Sequence, residues 1–185
     1  MQELGLFVTL AEIAGVFVGF GALIAVRSGG ASDAREVVYI RAVLSFGVWV
    51  VVATLTPVTL GAYDIGEREV WLVSGLVAVA AFAGVFAFNR LTPEMQDWWA
   101  GRAEWRRSMS RRLLVFESAG NTALVVAILA ALVLVVLDLV PGQEPALYLT
   151  AVVLGLFFAA LQLLFLVYAH RGPATASDEV EQPAE

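Results

Sequence analysis

The chain has 185 residues, 60% of them hydrophobic and 15% charged, with a net charge of −6. A soluble domain is typically about 45–50% apolar, and one bilayer crossing uses about 20 helical residues, so the composition supplies about five crossings and little for a separate water-soluble core. That excludes an ordinary cytosolic enzyme and a nucleic-acid binder, while the lack of Cys removes disulfides, thiolate catalysis and Cys-ligated metals.

Five long apolar runs follow one another, at about residues 4–26, 37–60, 70–88, 113–139 and 147–169. None alternates with period two, so a barrel is ruled out and helices are predicted. The first run carries one carboxylate, Glu12, with Gly15 and Gly19 three and seven positions on. Those three share a helix face, and the small residues allow a neighbouring helix to approach closely. Glu12 is therefore predicted to point at a neighbour. It has no basic flank of the signal-peptide kind before it, so cleavage is not expected.

The second run contains Arg41, Thr54, Thr56 and Pro57. Proline lacks an N–H and frees a carbonyl one turn back, which Glu12 could use together with Thr54. On this view Glu12 is either interhelical glue or a proton- or cation-handling carboxylate, because ionisable groups at that depth need a reason to be there. The third run is free of charge.

Between the third and fourth runs, Thr92-Pro93-Glu94 reads as a helix start, predicting an interfacial helix over about 93–109. Trp98, Trp99 and Trp105 interleave there with Arg102, Arg106 and Arg107, and Arg111 and Arg112 follow. Trp favours the headgroup level and Arg reaches anionic lipid, so this segment is expected to anchor the inner leaflet or to dock phosphate groups.

The fourth run holds Glu117 and Asn121 near its start and Asp138 near its end; the fifth holds Gln162. Arg41 and Glu117 each lie about one turn inside their helices, which predicts a buried ion pair with Asn121 and Gln162 at the same level. That layer would either fix which helices meet or form an inner gate or a substrate carboxylate site built around Arg41. Asp138 is expected to be solvated, and Pro141 and Gly142 to end the fourth helix. His170 has no second His or Cys with which to hold a metal or haem, so no cofactor is expected.

All 11 basic residues are Arg, and ten of them fall in or beside the first and third connections or after the fifth run; Arg68 alone lies on the other side. The positive-inside rule then predicts an N-terminus outside and a C-terminus in the cytoplasm. The expected fold is an all-α integral membrane protein: a five-transmembrane-helix bundle over residues 1–171 with a short cytoplasmic interfacial helix, then a disordered acidic tail over 172–185. A cytoplasmic, or inner, membrane is the expected location. The Arg-only basic set with abundant Ala, Val and Gly suggests a GC-rich bacterial genome.

No nucleophile–base set, P-loop or dinucleotide fingerprint is present, so no enzymatic activity is expected. The leading expectation is a non-catalytic accessory, scaffold or sensor module. The alternative is a small homo-oligomeric transporter or channel for protons, ions or a small anion, using Glu12 and the Arg41/Glu117 layer. Expected partners are the lipid bilayer, with anionic headgroups on the cytoplasmic side, and either a second copy or another membrane subunit; nucleic acid is not expected.

Overall fold

The computed structural model describes residues 2–27, 34–63, 65–91, 93, 96 and 111–170. The described residues hold five long helices: α1 (Gln2–Arg27), α2 (Ala34–Leu60), α3 (Glu67–Arg90), α4 (Arg111–Val136) and α5 (Glu144–His170). At 24 to 27 residues each, they are about 36–40 Å long, enough to cross a hydrocarbon core of about 30 Å. The interfacial helix expected over 93–109 and the acidic tail over 172–185 lie outside the described residues, apart from Pro93 and Gln96, which are helical.

Helices α2, α3, α4 and α5 form a closed ring in which each packs on the next and α5 packs back on α2. Helix α1 lies outside this ring, against α2 and, less extensively, α5. Burial follows that placement: 56% of the apolar stretch of α2 is enclosed, against 17% for α1. The up-and-down course brings the end of α1, the start of α2, the end of α3, the start of α4 and the end of α5 together. This is the Arg-rich end, with Arg27, Arg41, Arg90, Arg111 and Arg112.

The outside of the bundle is as apolar as its inside. Phe20, Leu23, Leu76, Val126, Phe157 and Leu164 all stand outward, each about half or more exposed. A helix in water keeps polar residues on that face; an apolar outer face matches a lipid solvent and is compatible with a multi-pass membrane protein.

Three close approaches hold the helices together, and each is set by a glycine. The α2 backbone at Gly47 meets Val18 of α1, Gly75 of α3 meets Val135 and Val136 of α4, and Gly155 of α5 lies under the ring of Trp49. Gly15 and Gly19, predicted to serve this purpose, do not: a Cβ at either position meets nothing within 4 Å. Phe7, Ala14 and Gly21 form the buried side of α1, diametrically across the helix from Glu12 and Gly19. The helix presents a large aromatic, Phe7, and two small residues to its neighbours: Gly21 lies close to Val43 and Leu44 of α2, as Gly47 of α2 does to Val18.

Helix α4 ends earlier than Pro141 and Gly142 suggest. Leu139 N–H bonds to Leu134 O and Asp138 N–H to Val135 O, both at 3.2 Å, with Asp138 in the left-handed region at φ 51°. These are the two bonds of a Schellman motif, with Asp in the place glycine usually takes. Asp138 is also not simply solvated, since Arg68 Nη2 reaches its Oδ2 at 2.8 Å. With Arg68 71% exposed, the pair contributes at most about 1 kcal/mol. Asp138→Gly should therefore leave stability nearly unchanged, trading the ion pair for a relaxed backbone. Asp138→Val should cost about 1–2 kcal/mol, because a β-branched residue resists positive φ. Equal effects of the two substitutions on unfolding in mixed micelles would show that backbone conformation is not what position 138 demands.

Candidate functional site

The interior of the ring is organised in three levels. Farthest from the Arg-rich end, Phe7, Trp71 and Tyr148 form a triangle with ring centroids 5.7–5.9 Å apart. The Tyr148 hydroxyl donates to Ala53 O at 2.7 Å. The acceptor is the carbonyl four residues before Pro57, the one that the missing proline N–H leaves without its helical donor. The freed carbonyl thus exists as expected, but Tyr148 satisfies it and Glu12 does not. Thr54, also assigned to Glu12, bonds its own helix at Val50 O and Val51 O, 2.8 and 2.9 Å. Glu12 is exposed on the outer side of α1.

The middle level is an aromatic plug. Phe46 of α2 packs against Phe158 of α5, the rings tilted by 33° with centroids 4.1 Å apart, and meets Phe82 of α3 edge-on at 5.7 Å. Trp49 closes the set, edge-on to Phe82 at 5.6 Å, with its indole N–H donated to Ala78 O at 2.9 Å. Beyond them Ile128, Leu132 and Val152 are fully buried.

The third level is a cavity of about 360 Å³ at the Arg-rich end. Phe46 and Phe158 form its floor and Phe86 and Val125 part of its wall; Arg90, exposed, marks its rim. From the level of Tyr39 to that of Phe46 it is about 10 Å deep, two helical turns. Each helix of the ring contributes a polar group: Tyr39 from α2, Asn89 from α3, Glu117 and Asn121 from α4, and Gln162 from α5.

These groups are ordered by two hydrogen bonds. Tyr39 Oη donates to Glu117 Oε1 at 2.9 Å, across the ring from α2 to α4. Gln162 Nε2 donates to Asn121 Oδ1, also at 2.9 Å, between α5 and α4. Glu117 and Gln162 are 5% and 3% exposed, so both are held in an apolar surrounding. A carboxyl group there is costly to bury and keeps a single described hydrogen bond, from a neutral donor.

Of the predicted inner layer, Glu117, Asn121 and Gln162 therefore converge on one cavity, whereas Arg41 does not line it. The Arg41–Glu117 ion pair is not formed; Glu117 is bonded to Tyr39 instead. Tyr39 and Arg41 are two residues apart and so share a level, but they lie about 200° apart around α2. The ring side of α2 at that level belongs to Tyr39. Tyr39, Asn89, Ser118 and Thr122, polar residues of the cavity lining, were not singled out by the sequence. Asn89 is buried in the last turn of α3, one residue beyond the apolar run as read from sequence. A polar residue between an uncharged run and an Arg was its available signal. The Trp and Arg residues 98–107 lie outside the described residues; Arg111 and Arg112 open α4, and their side chains are not described.

The cavity sets apolar and aromatic walls beside several polar groups. Its volume falls within the range of small-molecule sites, about 300–1,000 Å³. No family model, curated protein or solved structure matches the chain.

Proposed function

We propose that the chain is a five-span protein of the cytoplasmic membrane, N-terminus outside, acting as a non-catalytic accessory or sensor module that takes a ligand into a blind vestibule from the cytoplasmic side. The single observation that carries this reading is the cavity that stops at the Phe46–Phe158 plug, 4.1 Å between rings, with a filled core behind it. A vestibule closed at about a third of the depth of the bilayer suits occupancy and signalling better than conduction. The Arg asymmetry supports the orientation, and the Trp98–Trp105 segment with Arg102, Arg106 and Arg107 suits contact with anionic headgroups.

A second reading, transport, draws on the convergence of Glu117, Asn121 and Gln162 in one cavity, which would serve as the inward-open half of a carrier. Reconstitution separates the two. Under the module reading, proteoliposomes pass no protons, cations or small anions, and Glu12→Gln and Glu117→Gln behave as wild type. Flux abolished by Glu117→Gln would establish the carrier.

Orientation has its own test, made simple by the absence of native Cys. Gln143→Cys should react with a membrane-impermeant maleimide on intact cells, and Ser108→Cys only after permeabilisation. Labelling of both from one side would overturn the five-span topology.

A further inference from the structure

We infer that the vestibule is a site for an amphipathic organic cation, an ammonium group carried on an apolar body. The inference rests on the blind-cavity reading above and adds the class of ligand. Three features of the cavity point the same way.

The first is charge. Among the described residues Glu117 is the one acidic side chain lining the cavity; it is 95% buried and takes its described hydrogen bond from a phenol, not from a basic group. The nearest basic residue in sequence on the facing helix, Arg41, is turned to the other side of α2. An entering positive charge meets there a carboxyl oxygen whose described hydrogen bond comes from a neutral donor, in a surrounding where charge–charge attraction is weakly screened. An anionic ligand would find a basic partner only at the rim, in Arg90, and farther in would lie beside the Glu117 carboxyl.

The second is the nature of the walls. Tyr39, Phe46, Phe86 and Phe158 place four aromatic rings around the space that Glu117 borders. Rings of this kind attract cations through their quadrupole, most of all quaternary ammonium groups, which are bulky and weakly hydrated. Phe86 already accepts such a contact, with the guanidinium of Arg90, which also lines the cavity at its rim, 6.0 Å from its centroid.

The third is the division of the lining. Polar groups enter from all four helices, among them Glu117, Asn121 and Gln162, while Val38, Ala42 and Val125 are apolar. A ligand with a charged head and an apolar body matches both parts; an inorganic cation matches only the first and would leave the apolar walls facing its hydration shell. The ammonium group could come from a free amphiphile or from a lipid headgroup. Both present the same chemistry.

The test uses the full chain in neutral maltoside micelles and isothermal titration with benzyltrimethylammonium. Its neutral isostere neopentylbenzene and the anion benzylsulfonate are the comparisons. The ammonium compound should bind at least about tenfold more tightly than the isostere, and benzylsulfonate should not bind measurably. Glu117→Gln keeps the size of the side chain and an oxygen for Tyr39, and should remove most of that tenfold preference while leaving neopentylbenzene binding in place. Equal affinity of wild type for the ammonium compound and its isostere overturns the ligand class without reference to any variant. So does a preference that survives Glu117→Gln. Competition by a short-chain phosphocholine lipid, but not by its phosphoglycerol counterpart, identifies a headgroup as the source; absence of competition identifies a free amphiphile. The ligand class and the module reading fail separately: cation flux in proteoliposomes overturns the module alone, and loss of charge preference with no flux overturns the ligand class alone.

Discussion

Gly155→Val is expected to be the most damaging single substitution in the bundle, costing about 3 kcal/mol or more. The indole of Trp49 rests on the α5 backbone at Gly155, so any Cβ there overlaps the six-membered part of the ring. Trp49 cannot yield cheaply. It is 1% exposed, packs edge-on to Phe82, and donates its N–H to Ala78 O. Moving it forfeits that hydrogen bond, about 0.5–1.5 kcal/mol, on top of an overpacking cost of about 1–3 kcal/mol. Unfolding measured in mixed micelles should show the loss, and Trp49→Leu in the same chain should recover part of it by making room. Gly155→Val within about 0.5 kcal/mol of wild type would mean that Trp49 does not sit on α5.

The second large effect belongs to Tyr148→Phe, expected to cost about 1–3 kcal/mol. The change removes one oxygen and leaves Ala53 O buried without a donor, and an unsatisfied buried acceptor carries most of its desolvation penalty. Pro57 supplies the internal control. In Pro57→Ala the backbone N–H at position 57 can bond to Ala53 O directly, so Tyr148→Phe should become markedly milder in that background. A double-mutant cycle with no coupling between positions 57 and 148 would sink this account of the tyrosine. The cycle isolates one hydrogen bond across 95 residues of sequence.

How much of this was readable in advance divides along the helix axis. Five helices were legible, because runs of apolar residues long enough to cross a bilayer are punctuated by Arg, Asp, Gly and Pro. Level along the axis was legible too: Glu117, Asn121 and Gln162 were placed together, and they share a cavity. Direction around the axis was not. Glu12 was turned toward a neighbour on the ground that acids within apolar helices face inward, yet Phe7 and Ala14 take the inner side of α1. Arg41 was paired with Glu117 by level alone, and Tyr39, at the same level, holds the facing position. In helices apolar on every side, no polar stripe marks which direction is inward, so azimuth depends on neighbours that a local pattern does not contain.

Pro57 illustrates the same division. Local chemistry correctly indicated that a carbonyl would be released near Ala53, since that follows from proline alone. The donor lay on α5, and nothing near position 57 points there. The helix stop at Asp138 shows a different limit: Gly142 and Pro141 are the stronger stop signals, but the Schellman bonds close on an Asp whose side chain also meets Arg68.

The placement of α5 bears on how the vestibule comes into being during synthesis. Helices α2, α3 and α4 are contiguous neighbours and can assemble as the ribosome delivers them, but the ring is shut only by α5, which carries Phe158 and Gln162. Without that helix, Tyr39 and Glu117 would face a three-sided trough with half its floor missing. On the proposed reading, ligand capture would be a property of the finished assembly, and a truncated chain lacking α5 would have no competence for it.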